Sequence, residues 1–220
     1  MNKIMSAEQA IKAVKTGDRV MTGGFLQGGS PETLLKALID HSDATDLTII
    51  NNDTGWDWMN TYKLQMQGRV SKVHATWIGG NSYTNKMYIN DPKTVICTPQ
   101  GTFAESIRAA AYGIPEFLTA TGVGTVCEEG KETKIIDGRK YIVEKALHGD
   151  IALIRATKVD KFGNCYLRGT TKNFGAFMPQ ACKYAIVEAE EIVETGDIDP
   201  DLVTISGIFI NAIVKAEDNE

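Results

Sequence analysis

Cysteine and histidine are sparse in this chain, and their placement argues against several chemistries. The four cysteines, Cys97, Cys127, Cys165 and Cys182, stand far apart, with no Cys-x-x-Cys pair and no histidine at zinc-ligand spacing. No metal site is expected, and the thiols are expected to be reduced and mostly buried as small apolar residues. The three histidines, His41, His74 and His148, are scattered and support no Ser-His-Asp arrangement, so structural roles are expected of them. Basic charge is lacking too: 23 Lys and Arg against 28 Asp and Glu leave a formal net charge of −5. That balance argues against broad nucleic-acid binding, which needs a basic face. Long apolar runs are absent: the stretch around Ile208–Val214 is too short to cross a bilayer. Met1–Gln9 turns polar at once and shows no signal-peptide core. A cytoplasmic chain with no membrane segment is expected. With no repeat and no low-complexity linker, residues 1–220 read as one domain.

Glycine is abundant where it matters. Residues 17–31 run Gly-Asp-Arg-Val-Met-Thr-Gly-Gly-Phe-Leu-Gln-Gly-Gly-Ser-Pro. A short strand ends in Gly23-Gly24, and Gly28-Gly29 leads into Ser30-Pro31, read as N-cap and first helical residue. Glycine loops and helix N-termini together favour an anion, through backbone N–H groups and the helix dipole. The spacing approaches a P-loop, but Gly29 stands where the phosphate-binding lysine is required, which argues against NTP hydrolysis. A tight turn with no ligand explains the glycines equally well at this point.

The rest of the chain alternates short apolar strands with amphipathic helices. Ser6-Ala-Glu-Gln9 is a capping box opening a helix to about Lys15, with Ala10, Ile11 and Val14 on one face. Strands are expected at Arg19–Thr22, Leu47–Ile50, Val70–Ile78 and Thr94–Cys97, and helices at Pro31–Ile39 and Thr102–Tyr112, the latter ending at Gly113. Later strands are expected at Ile151–Ala156, Cys165–Leu167, Tyr184–Val187 and Ile208–Val214. Lys134–Val143 reads as a hairpin around Asp137-Gly138. The last residues, 216–220, read as a solvated acidic tail. The fold class is α/β: three layers, α/β/α, with a mostly parallel open sheet plus the hairpin element in the second half. The loops 23–30, 51–55, 79–82, 98–101 and 121–125 are expected to gather beyond the carboxyl ends of the strands, where open α/β sheets bind ligands.

These residues together resemble one family. Gly23-Gly24-Phe25-Leu26-Gln27-Gly28-Gly29-Ser30-Pro31 resembles the Gly-Gly-Phe-x-x-x-Gly-x-Pro signature of family I coenzyme A transferases. Asn52-Asp53-Thr54, Pro99-Gln100-Gly101-Thr102, Thr121-Gly122-Val123-Gly124-Thr125, Gly163-Asn164 and Asn173-Phe174 follow in the family's order. The likeness covers nearly the whole chain and is to the α subunit of the acetate/butyrate–acetoacetate or 3-oxoacid type. Thr16, Thr22 and Asn85 depart from the pattern; Asn85 stands where relatives carry glycine and is expected to tolerate positive φ. Trp56, Trp58, Tyr62 and Tyr83 enrich a region that in relatives shapes the acyl pocket, and core or interface packing accounts for them as well.

The resemblance implies a ping-pong reaction through a glutamate in a Ser-Glu-Asn-Gly motif of a β subunit. No glutamate here is followed by Asn-Gly, so no catalytic nucleophile is expected in this chain, and a β subunit is the expected partner, in an α2β2 assembly. Coenzyme A and acyl-CoA are expected as substrates, with small carboxylic acids and no tightly bound cofactor. The implied CoA-binding loop is Gly23, Gly24, Phe25, Leu26, Gln27, Gly28 and Gly29; Gln100, Asn51 and Asn52 are implied substrate contacts, with the Gln100 amide suited to an oxyanion. A Gly24→Val chain is expected to lose activity while folding. The acidic clusters Glu128-Glu129 and Glu188-Glu190-Glu191 read as solvated faces. Two other readings stand beside this one: a sugar-phosphate isomerase or deaminase of the same general fold, and a small-ligand-sensing regulatory domain.

Overall fold

The computed structural model describes residues 2–217. In chain order the elements are α1 (Ala7–Ile11), β1 (Arg19–Thr22), α2 (Glu32–His41), β2 (Leu47–Ile50), α3 (Asn60–Met66), β3 (Val70–Ala75), α4 (Ser82–Asn90), β4 (Val95–Cys97) and α5 (Gln100–Ala111). There follow β5 (Glu116–Thr119), β6 (Thr133–Ile136), β7 (Arg139–Lys145), β8 (Gly149–Asp160), β9 (Cys165–Tyr166), α6 (Met178–Ala181), β10 (Cys182–Val193) and β11 (Ala212–Lys215).

Seven strands lie in the order β11-β10-β8-β1-β2-β3-β4, all parallel, and β9 adds an antiparallel pairing to β8. Because every strand of that path runs the same way, helices must cover both faces. Val20, Leu47, Ile49, Val73 and Leu153 pack with Leu34, Leu35 and Leu38 of α2 on one face. Met21, Ile50, Ala152 and Ile154 pack with Phe103 and Ile107 of α5 on the other. Central strand β8 is buried on both sides and reads accordingly as a nearly unbroken apolar run, Ile151–Ala156 interrupted only by Arg155. The β11 edge is covered by the N-terminal segment: Met5 N–H donates to the Ile213 carbonyl at 3.0 Å and Ile213 N–H to the Lys3 carbonyl at 2.8 Å. The smaller sheet, β5-β7-β6, is antiparallel, and its Asp137-Gly138 turn has φ of +50° and +77° at the two residues, the geometry that Asp-Gly favours.

Several expected boundaries move. The capping box at Ser6 and Gln9 forms as expected, but α1 ends at Ile11. Ala13 and Val14 donate to carbonyls three residues back, and the Asp18 carboxylate takes the Lys15 N–H at 2.7 Å, so the α-helical ladder stops. Strand β3 stops at Ala75 rather than Ile78, and the last strand is Ala212–Lys215, preceded by a 3₁₀ turn at Gly207–Phe209. Helices α3 and α4 have weak apolar stripes, Leu64 being the one large apolar side chain buried in α3 and Thr84 the one buried residue of α4. Asn85 lies inside α4 without positive φ, so its tolerance of left-handed backbone is not used. Of the thiols only Cys165 is fully buried and Cys97 is exposed. Of the expected acidic tail, residues 218–220 lie outside the described residues, while Ala216 is buried and Glu217 N–H donates to Thr33 Oγ1 at 3.0 Å. Among the described residues no helix is long and apolar enough to cross a membrane.

Candidate active site

The carboxyl ends of β1, β2, β3 and β4 fall on one edge of the sheet, and the loops that leave them are cross-linked. Asn51 N–H donates to the His74 carbonyl at 3.1 Å, Thr76 N–H to the Asn52 carbonyl at 2.9 Å, and Thr98 N–H to the Ala75 carbonyl at 3.0 Å. Asn81 Nδ2 reaches the Thr54 carbonyl at 2.9 Å. Leu26 N–H donates to Asp53 Oδ2 at 2.9 Å and Gln100 Oε1 lies 2.7 Å from Thr76 Oγ1, so four of the five expected loops gather at this edge. The fifth, 121–125, follows β5 of the small antiparallel sheet and not a strand of the parallel one.

The glycine loop is more inward-facing than its composition suggests. Gly23 N–H donates to the Leu153 carbonyl at 2.9 Å, extending β1 along β8. Gly23, Gly24 and Gly29 are buried, and the exposed apex is Phe25 and Gln27, Phe25 being 54% exposed. Gly24 has φ +107°, and a Cβ there would stand 2.8 Å from the Ser30 nitrogen. Its conformational freedom thus serves a close approach between two parts of the loop, which conflicts with the expectation that Gly24→Val folds normally. Leu26 and Gly28 are half-buried.

Helix α2 does not begin as its sequence implies. Pro31 occupies the cap position, and Ser30 makes no cap hydrogen bond; its hydroxyl donates instead to Glu32 Oε1 at 2.6 Å. The cap comes from another strand. Glu188 of β10, 0% exposed, accepts the Leu34 N–H through Oε2 at 3.2 Å and pairs through Oε1 with Arg155 at 3.2 Å. A solvated face is the wrong description of Glu188, and the dipole-favoured place at the start of α2 is filled by this protein carboxylate. Burial pushes the Glu188 carboxyl above its usual range, against the opposing pull of the Leu34 amide and Arg155. Glu190 and Glu191, by contrast, are exposed and paired with Arg155 and Lys158, and Glu128 pairs with Lys140.

Gln100 is the first residue of α5 and is exposed at the edge, with its Oε1 2.7 Å from Thr76 Oγ1. Thr76 Oγ1 also lies 2.8 Å from the Asn52 carbonyl. One hydroxyl carries one proton, so both contacts are satisfied when the Gln100 amide is turned with Nε2 donating to Thr76; the second Nε2 proton is then free for a ligand. Asn51 and Asn52 lie deeper, 5% and 1% exposed, and their Oδ1 atoms have no protein partner among the described residues. Asn51 borders a cavity of about 10 Å³ shared with Thr22, Gly24, Ser30 and Asp53, a volume that suits a single water.

Asp53 and Thr76 are residues to which sequence reasoning gave no role of their own. Asp53 is 6% exposed and accepts N–H groups from Leu26, Gly55 and the Asn52 side chain, each at 2.9 Å. The Asp-x-Gly spacing of Asp53 and Gly55, an Asx-turn pattern, is the signal available in the sequence for the local part of that role. Trp56 and Trp77 meet edge to face at 5.8 Å, and Gly79 and Gly80 are small because the two indoles lie against them. Trp56, Trp58 and Trp77 are exposed, which excludes core packing for them, whereas Tyr62 and Tyr83 are half-buried.

His74 lies beneath this edge, its Nε2 2.7 Å from Thr98 Oγ1 and its ring edge-on to Phe103. Burial, followed by the fields of Arg19 and Lys131, lowers it to about 4. It lines a cleft of about 480 Å³ between the β3–β4 end of the parallel sheet and the small sheet, with Thr98, Lys131, Glu144 and Leu147. Among the described residues no group of three or more His, Cys, Asp or Glu side chains is close enough to hold a metal ion.

Residues 4–216 match the family model described as coenzyme A transferase. The chain belongs to the coenzyme A transferase family. It is 38% identical over 218 residues to the α chain of the acetate CoA-transferase of Escherichia coli K12, covering 99% of both chains. To the α chain of the acetoacetyl-CoA:acetate/butyrate CoA transferase of Clostridium acetobutylicum it is 40% identical over 214 residues, covering 97% of this chain and 98% of that one. The fold of an acyl-CoA transferase from E. coli O157:H7, solved as a thioester complex with CoA, superposes with a TM-score of 0.84 at 22% identity, over 100% of this chain and 48% of that one. This chain therefore spans about half the length of that relative. Membership of this family displaces the isomerase or deaminase and ligand-sensing readings.

Proposed function

We propose that this chain is the α subunit of a CoA-transferase that moves CoA between a short-chain acyl-CoA or 3-oxoacyl-CoA and a free carboxylic acid. The observation that carries the reading is the state of the carboxylates at the strand-end edge. Asp53 is engaged by three N–H donors, Glu188 by α2 and Arg155, and Glu32 by Ser30 and Asn60. Asp57, at the rim, accepts the Ser82 N–H at 2.7 Å. Beside the exposed aromatic rings of Phe25, Trp56, Trp58 and Trp77, the loops at this edge offer the amides of Gln100, Asn51 and Asn52 and the Thr76 hydroxyl. Such a surface binds and polarises a thioester or carboxylate without attacking it.

In the proposed cycle a carboxylate oxygen of a β-chain glutamate attacks the thioester carbonyl and expels the CoA thiolate, leaving an acyl-glutamyl anhydride. The thiolate then attacks the glutamyl carbonyl of that anhydride, which forms the glutamyl-CoA thioester and releases the donor acid as a carboxylate. The acceptor acid then takes CoA from the glutamate. The free Nε2 proton of Gln100 donates to the oxyanion that develops on the thioester oxygen, and loop 23–29 presents backbone N–H groups to CoA or to the reacting carboxylates. Asn51 and Asn52 act through a bridging water or as support for the loops above them. CoA enters as a substrate, and the cycle needs no tightly bound cofactor. Residues 1–220 form one domain in this reading, supported by a large sheet that draws strands from Arg19 to Lys215. An α2β2 assembly in the cytoplasm completes the proposal, the latter supported by four unpaired thiols.

The test is reconstitution. The purified chain alone should exchange no CoA between acyl-CoA and free acid, and transfer should appear on adding a β subunit that carries Ser-Glu-Asn-Gly. Sustained turnover by the isolated chain would refute the half-site reading.

A further inference from the structure

The apex of the glycine loop holds a conformation that its own sequence disfavours. Phe25 and Gly28 exchange both backbone hydrogen bonds, each 3.0 Å, around Leu26 and Gln27. Leu26 has φ +50°, while Gln27 is not among the residues with positive φ. In a two-residue hairpin, positive φ at the first central position alone ordinarily calls for glycine, because a Cβ there crowds the following carbonyl oxygen. A leucine in that place persists only where its surroundings over-determine it.

Asp53 supplies the over-determination. Its Oδ2 accepts the Leu26 N–H at 2.9 Å across 27 residues of sequence, and the Asn52 Nδ2 at the same distance. Its Oδ1 accepts the Gly55 N–H at 2.9 Å, and its backbone is bridged to Trp77, so the carboxylate has little freedom of its own. An asparagine could not replace it fully: all three neighbours donate, and an amide would turn its own N–H₂ toward at least one of them. With the turn held, the amides of Gly24, Gln27 and Gly29 have no acceptor among the described residues.

We propose that Asp53 is a positioning residue, which holds Leu26 in the left-handed turn and so sets the donor array of the glycine loop before acyl-CoA or acid arrives. The inference rests on the reading of this edge as the transfer site and adds the residue that sets the loop geometry. Asp53 touches no reacting atom; it acts through the Leu26 amide.

The experiment compares wild type, Asp53→Asn, Leu26→Gly and the double variant, each reconstituted with the β subunit, then assayed for CoA transfer. Asp53→Asn should lower kcat/KM about thirtyfold, the loss expected when a charge-assisted hydrogen bond that fixes the site is removed. Glycine adopts the turn without help, so, whatever Leu26→Gly costs by the loss of its own side chain, adding Asp53→Asn to that chain should cost no more than about threefold. An equal loss in both backgrounds would overturn the proposal, because a purely structural Asp53 is indifferent to residue 26. Amide exchange of the wild-type chain reads the clamp independently of whether Asp53→Asn folds. The Leu26 amide should exchange at least about a hundredfold slower than a free amide, and exchange at the free rate would overturn the clamp. A wild-type complex that transfers no CoA refutes the functional reading instead, and the exchange measurement still decides the clamp.

Discussion

Gly24→Ala separates a ligand-binding glycine from a packing one. At Gly24 the φ is +107° and an added Cβ would meet the Ser30 nitrogen at 2.8 Å, the Ser30 Cα at 3.0 Å and the Gly29 carbonyl carbon at 3.1 Å. All three contacts are backbone, so no side chain can swing away. The backbone conformation costs an alanine about 2 kcal/mol, and forcing the two chain segments apart adds about 2 kcal/mol. For a chain of this size a loss of about 4 kcal/mol lowers the melting temperature by about 12 °C. Two other glycines calibrate the measurement. Gly17 has φ +86° with nothing within 4 Å of its Cβ position, so Gly17→Ala isolates the conformational part, about 2 kcal/mol. Gly101, inside α5 with open space around it, should gain about 0.5 kcal/mol as alanine. Guanidinium and thermal unfolding of the three variants, with and without the β subunit, give the order Gly101→Ala, Gly17→Ala, Gly24→Ala. A Gly24→Ala chain that melts within a degree or so of wild type, yet has lost acyl-CoA binding, would refute the packing argument and return Gly24 to a direct contact with ligand.

Two further outcomes follow from the same structure. Gln100→Ala should lower kcat about 10²-fold in the reconstituted complex, with little change in melting temperature because the side chain is exposed. Gln100→Glu should be at least as harmful, since a carboxylate there repels both acids and the partner's glutamate; near-normal kcat in Gln100→Ala would remove the role assigned to the amide. For His74 the folded value of about 4 lies below the ordinary 6.5, so the unfolded chain takes the proton first. Stability tied to this ring is intact above pH 6.5 and is lost as the pH falls toward 4. Between pH 7 and pH 5 the share from His74 is about 2 kcal/mol. The fall in unfolding free energy over that interval should be smaller by that amount in His74→Phe, and equal falls in the two chains would refute the assignment.

Much of the frame was legible because it is written in local pattern. Arg19–Thr22 and Leu47–Ile50 are strands at the expected residues, the Ser6–Gln9 capping box closes on its own two side chains, and Asp137-Gly138 makes the turn its φ preferences dictate. Such features depend on residues within a few positions of one another. Helices α3 and α4 were not legible: their burial comes from neighbouring elements and leaves little period in their own sequences.

The candidate site divides along the same line. Glycines after β1, polar residues after β2 and Pro99-Gln100 after β4 stand at strand ends in the sequence, and a parallel sheet must bring such ends to one edge. What those residues do there was decided by partners far along the chain. Glu188 looks like part of an exposed acidic run, yet its strand runs between β8 and β11, and its carboxylate is turned onto the first amides of α2. Asp53 reaches a leucine 27 residues away. Gly24 is required by Ser30 only because the loop folds back on itself. Local propensity and periodicity determine which segments become strands, helices and turns, since those are contests between a residue and its near neighbours. Which buried carboxylate meets which amide depends on strand order and register, and those are settled only when both faces of the sheet are packed.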